Sequence, residues 1–118
     1  MKDQPLSIGT DIVDVARFEN FDFGGRLAAK LFTEQELTDC RAKPHPAASL
    51  AARFAAKEAV IKAIEETVEF NLIEITNDED GKPQVIVWDE AVQASYVIQI
   101  SLSHTKDLAL AMCLAVKK

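Results

Sequence analysis

The stretch "RFAAKEAVIKAI", residues 53 to 64, decides how the chain is to be folded. At about 100° per residue, Leu50, Phe54, Ile61 and Ile64 gather into one bulky stripe while Ala55, Ala56, Ala59 and Ala63 cover the opposite side, so this reads as a helix packed on both faces. Four charges nevertheless sit in it. Lys57 falls inside the bulky stripe and Glu58 and Lys62 fall on its other edge, so none has a wide solvated face to itself. Arg53 with Lys57, and Glu58 with Lys62, are each four apart and make ridges on the helix surface. Two readings fit that spacing. One is an exposed Glu-to-Lys pair with two snorkelling basic residues; the other is a buried-edge site where a carboxylate and several cations converge on something anionic.

Outward from this helix the pattern changes on both sides. Residues 6 to 15, LSIGTDIVDV, mix β-branched residues with a glycine and read as a strand. In ARFENFDFGGRLAAKLF, Gly24 and Gly25 interrupt what would otherwise be helix. Thr33, followed three residues later by Glu36 in FTEQEL, has the form of a capping box and predicts a short helix. KPHPAAS, residues 43 to 49, reads as a loop because two prolines are not both accommodated inside a helix. The long helix is then expected from about Ala48 to Glu66. After it the period becomes two: FNLIEIT predicts a strand, NDEDGKP a turn, QVIVW a second strand, YVIQISLS a third and LALAMCLAV a fourth, with HTKD (residues 104 to 107) as a hairpin turn. Ile98, Ile100 and Leu102 alternate with Gln99, Ser101 and Ser103, which gives that strand one apolar and one polar face. The expected fold class is α+β, a mainly antiparallel sheet packed against one long helix.

Composition narrows the function classes. At 118 residues the chain reads as a single domain, 1–118, able to bury roughly two thirds of its unfolded surface. No run approaches the roughly 20 apolar residues that a membrane span needs, and MKDQPLSIGTD lacks the apolar core of a signal peptide, so a cytoplasmic protein without a membrane partner is expected. The net charge of −6 argues against a nucleic-acid partner, which would need clustered Lys and Arg. Cys40 and Cys113 lack metal-ligand spacing, and Cys113 lies in an apolar run, so free reduced thiols are expected.

Asp11 and Asp14 in GTDIVD are three apart and therefore on opposite faces of a regular strand, which makes them a poor pair. Asp11 gains meaning beside the helix. A strand carboxylate and Glu58 from a helix packed on that strand would form a two-carboxylate oxygen site suited to Mg²⁺, which keeps several waters and takes other ligands from substrate phosphate. Arg53, Lys57 and Lys62 would supply the positive wall that phosphates need. His104 and Lys106, in SLSHTKD, add donors from a hairpin turn, although a histidine at a strand end is as readily a satisfied edge residue.

The segments GTDIVDVARFE, LFTEQEL, RFAAKEAVIKAI, DEDGKPQV and SLSHTKDLALA stand in the order and roughly the spacing of the holo-acyl-carrier-protein synthases, the small 4′-phosphopantetheinyl transferases, and the chain resembles that family from Ser7 to Val116. The resemblance implies transfer of the phosphopantetheine arm of coenzyme A to a serine of an apo acyl-carrier protein, for lipid or polyketide biosynthesis, with release of adenosine 3′,5′-bisphosphate. It implies a homotrimer with active sites shared between subunits. By position, Asp11 and Glu58 match the Mg²⁺ ligands, and Lys62 matches the lysine beside the reacting phosphate. Arg53, Lys57, His104 and Thr105 match residues that hold the phosphates of coenzyme A, and Gly81, Lys82 and Pro83 match the turn near its adenine.

Two departures stand out. Ile64, Glu65, Glu66, Thr67 and Val68 replace a glycine-rich turn after the lysine helix. The segment after the first strand, a basic helix that docks the carrier in this family, keeps Arg17, Arg26 and Lys30 but adds Glu19 and Asp22, which points to weaker docking or a less acidic carrier. Both favour one alternative, a non-catalytic coenzyme A and carrier-protein binding module of the same fold. Retention of Asp11, Glu58 and Lys62 together argues for the enzyme.

Overall fold

A computed structural model describes residues 5–118; the first four residues of the stretch read as lacking a signal peptide lie outside the described residues. Strand β1 (Leu6–Asp14) leads through a 3-10 turn (Val15–Phe18) to short helices α1 (Arg26–Leu31) and α2 (Glu34–Arg41), and then to the long helix α3 (Pro46–Ile64). A second 3-10 turn (Phe70–Leu72) precedes the hairpin β2 (Ile73–Asn77) and β3 (Pro83–Val87), followed by α4 (Glu90–Ser95), β4 (Tyr96–His104) and β5 (Leu108–Lys117). The antiparallel strands form two sheets, a three-stranded one in the order β1-β5-β4 and the two-stranded β2-β3. The expected α+β class is the observed one.

Four differences from expectation concern the helices and the start of β2. Helix α3 starts inside the segment read as a loop, because Pro46 occupies its first turn, where the missing N–H costs no hydrogen bond. It stops at Ile64 rather than Glu66, since Glu65 turns left-handed at φ 55°. The first three residues of FNLIEIT form a 3-10 turn before β2 begins. Helix α4, absent from the sequence reading, is started by Asp89, whose carboxylate accepts from Val92 N at 3.0 Å.

Helix α3 packs against β1 and β5, and small residues bring them together. The inward residues of β5 are Ala109, Ala111, Cys113 and Ala115, all fully buried. Gly9 marks the closest approach: a β-carbon there would overlap the carbonyl oxygen of Ala59 and stand 2.9 Å from Ala63 N. The same contact satisfies the end of the helix. The Ser7 hydroxyl donates to Ala63 O, and the Tyr96 hydroxyl donates to Ile64 O at 2.9 Å, so two of the last carbonyls have partners.

Small residues inside leave the large ones outside. The outward face of the sheet carries Leu6, Ile8 and Ile12 on β1, Leu108, Leu110, Met112 and Leu114 on β5, and Val97 on β4, all exposed. The register sets Ile8 beside Leu114 and Ile12 beside Leu110, so these side chains form one continuous apolar surface. On β4 the outward Gln99, Ser101 and Ser103 are polar, as the alternation predicts.

Both cysteines are free and buried, as expected. Burial pushes the Cys40 thiol up to about 11 and the Cys113 thiol up to about 12, so neither is a nucleophile at neutral pH.

Replacing Gly9 with alanine is expected to lower stability by at least about 2 kcal/mol, because backbone rather than a flexible side chain must move. An unchanged urea midpoint for Gly9→Ala would contradict the close approach.

Candidate active site

The long helix and the edge strand β1 bring Asp11 and Lys62 into contact, with Glu58 one helical turn before Lys62 on α3. The Lys62 ammonium donates to Thr10 O at 2.9 Å and stands 3.4 Å from Asp11 Oδ1. Lys62 remains 53% exposed and Asp11 19%, so this ion pair contributes little to stability. Glu58 lies one turn before Lys62 on the same ridge of α3 and is half-buried. It forms no ion pair among the described residues. The result is a solvent-facing edge with two carboxylates and one half-exposed ammonium.

Lys57 is not part of that edge. It is fully buried, and its three N–H groups go to Glu36 Oε1 at 2.5 Å, Leu31 O at 2.7 Å and Phe70 O at 2.9 Å. Glu36, also fully buried, accepts from Thr33 N at 2.9 Å and from Ile75 N at 2.8 Å. The capping box is therefore present, and its carboxylate does more than cap. It joins the start of α2 to α3 and to β2. Burial pushes the Glu36 carboxyl up from its ordinary value and the Lys57 ammonium down, and in each case attraction to the partner opposes the shift. With every donor committed inside the chain, Lys57 presents none to an outside phosphate in this arrangement. Arg53 is 5% exposed and spends its Nε–H on Ile75 O at 3.3 Å, which ties α3 to the middle of β2.

The remaining expected residues lie at two turns. His104 ends β4 and is exposed. Thr105 begins the hairpin turn, where its hydroxyl accepts from Asp107 N at 3.3 Å and Leu108 N at 3.1 Å. Both line a cleft of 910 Å³ with Lys106, His45, Asp14 and the first turn of α3. Gly81, Lys82 and Pro83 sit where β2 turns into β3. Gly81 has φ +82°, the left-handed region that favours glycine, and Asp78 Oδ1 closes the turn by accepting from Asp80 N and Lys82 N at 2.9 Å. Strand β3 packs beside β4, the sheet edge opposite β1. One chain thus holds Asp11, Glu58 and Lys62 at one edge, His104 and Thr105 at the hairpin end, and the 81–83 turn beyond the other edge.

In place of the glycine-rich turn, Glu65 adopts φ 55° and ψ 32° directly after α3. This is a left-handed C-cap made by a residue with a β-carbon.

The model of the 4′-phosphopantetheinyl transferase superfamily matches residues 7–113 of this chain. The chain belongs to that superfamily. It is similar to the holo-[acyl-carrier-protein] synthase of Chlorobaculum tepidum, 45% identical over 115 residues that cover 92% of this chain and 97% of the relative. Among solved structures it is similar to the holo-[acyl-carrier-protein] synthase of Neisseria meningitidis, with a TM-score of 0.79, 34% identity and coverage of 92% and 96%. It is also similar to the Bacillus anthracis synthase in complex with CoA (3′,5′-ADP), with a TM-score of 0.78, 29% identity and coverage of 95% and 96%. The expected transferase family is therefore the observed one.

Two outcomes check this account of the transferase's helix. Lys57→Met alone should cost about 3–5 kcal/mol by leaving Glu36 buried without its cation, and the double variant E36Q/K57M should lose clearly less than the sum of the single losses in urea unfolding. Glu65→Gly should raise stability by about 0.5–1 kcal/mol, seen as a higher thermal midpoint, by removing the left-handed strain.

Proposed function

We propose that this chain transfers the 4′-phosphopantetheine arm of coenzyme A to a serine hydroxyl of an apo acyl-carrier protein and releases adenosine 3′,5′-bisphosphate. The observation that carries the reading is the edge of Asp11, Glu58 and Lys62 in a chain 45% identical to a holo-[acyl-carrier-protein] synthase. A structural neighbour in complex with CoA (3′,5′-ADP) supports coenzyme A as the substrate.

The donor set fits Mg²⁺. Asp11 and Glu58 supply hard carboxylate oxygens, Asp11 already attracts the Lys62 ammonium, and the half-buried edge leaves room for water. With two carboxylates at a half-buried edge, an ion here would keep several waters. When bound, Mg²⁺ would neutralise charge on the pyrophosphate oxygens.

In the reaction the serine oxygen forms a bond to the β-phosphorus, and the bond from that phosphorus to the bridging oxygen on the adenylate side breaks. The serine proton passes to the Glu58 carboxylate, directly or through a water. Lys62, more than half exposed, swings from Asp11 onto the phosphate oxygens and stabilises their charge. Arg53, His104 and Thr105 are assigned to the remaining phosphates, and Gly81, Lys82 and Pro83 to the adenine end. Lys57 acts from beneath, by holding α3 in place. Arg17 and Arg26 are assigned to carrier docking.

These residues lie on separate flanks of one chain, and the outward apolar face of the sheet is a surface that monomers rarely expose. Both features support a homotrimer whose neighbouring copies complete each site. The reading places residues 1–118 in one transferase domain working in the cytoplasm. No helix among the described residues is long and apolar enough to cross a membrane.

Incubation with coenzyme A, Mg²⁺ and several apo carrier proteins should add the phosphopantetheine mass to at least one carrier, read by intact mass. Glu58→Gln should lower kcat by about 10²- to 10⁴-fold. Coenzyme A binding with no mass gain on any carrier would favour the binding module instead.

A further inference from the structure

All six phenylalanines of the chain join one cluster. Phe54 of α3 lies inside it, with ring centroids 5.6 Å from Phe18 and 5.2 Å from Phe70, and is 5% exposed. Its ring is therefore held by packing. Among the described residues the one cation over it is Arg17, whose Cζ stands 4.5 Å from the Phe54 centroid and 6.0 Å from that of Phe18. Arg17 is exposed and forms no ion pair among the described residues. Long side chains of this kind ordinarily sample many rotamers, and stacking on an immobile ring face removes that freedom while leaving the outward N–H groups open to an anion.

The position of the ring matters because Phe54, Glu58 and Lys62 are each four apart, on one ridge of α3. One such step is about 6 Å along the helix axis. Arg17 is thereby stacked on a residue that lies one helical turn before Glu58 on α3.

We propose that Phe54 is a positioning residue for the carrier protein. Its ring face fixes the Arg17 guanidinium at a set distance from the reacting edge, so that an acidic residue of the carrier docks there and its serine meets Glu58 and Lys62. The inference rests on the carrier-docking role of Arg17 in the reading above.

The test replaces Phe54 site-specifically with fluorinated phenylalanines, up to the pentafluoro ring, which keep nearly the same volume while weakening and then inverting the ring quadrupole. Each is made in the native and the Arg17→Gln backgrounds and assayed with coenzyme A and apo carrier protein. Increasing fluorination should raise KM for the carrier by about two- to fivefold. It should leave kcat and KM for coenzyme A unchanged, and it should have no effect in the Arg17→Gln background. An equal rise in both backgrounds, a loss confined to kcat, or an Arg17→Gln variant with an unchanged carrier KM would overturn the assignment. Failure of the native protein to modify any apo carrier is a different result, which removes the transfer reading and this inference with it.

Discussion

The buried ion pair between Lys57 and Glu36 is the constraint on which the arrangement depends. A lysine in the packed stripe of α3 has no route to water, so its charge must be met inside the chain. Glu36 meets it, and the carbonyls of Leu31 and Phe70 take the other two donors. Five segments are thereby held to one ammonium or its partner: the end of α1, the start of α2, α3, the second 3-10 turn and β2. An isolated buried pair is weak evidence of stability, but a pair with every donor satisfied is a device for placing elements uniquely. Here it sets the rotation of α3, and hence which edge of the helix carries Glu58 and Lys62.

The second constraint is size. Gly9 and the alanines of β5 let α3 lie close on the sheet, and the strand period of two then sends the larger residues of β1 and β5 to the other side. Close helix packing and an apolar outward face are thus two results of one alternation. The first forms the edge where Asp11 meets Lys62; the second leaves a surface suited to other copies of the chain.

Much of this was legible beforehand. Helix α3 followed from two apolar faces, β4 from its alternation, the start of α2 from its capping box and the hairpin from HTKD. Each is a local signal, carried by residues within a few positions of one another. The start of α3 was misplaced because a proline that breaks a helix interior is harmless in its first turn. The division into two sheets was not legible, since strand periodicity does not say which strands pair. The burial of Lys57 was not legible for a related reason. Its partner lies 21 residues away and the backbone N–H that completes Glu36 lies 39 residues from it. The stacking of Arg17 on Phe54 likewise joins two segments that no motif connects.

By itself the sequence determined the class of fold, the family and the residue types available for chemistry, because periodicity, capping and motif spacing are written in neighbouring positions. Only the tertiary structure decided which charges face water and which are consumed inside. That choice depends on what stands opposite each side chain across the core. Three cations and one carboxylate on one helix divide accordingly: Lys57 is spent on Glu36, Arg53 is tied to β2, and Glu58 and Lys62 are left at the edge beside Asp11.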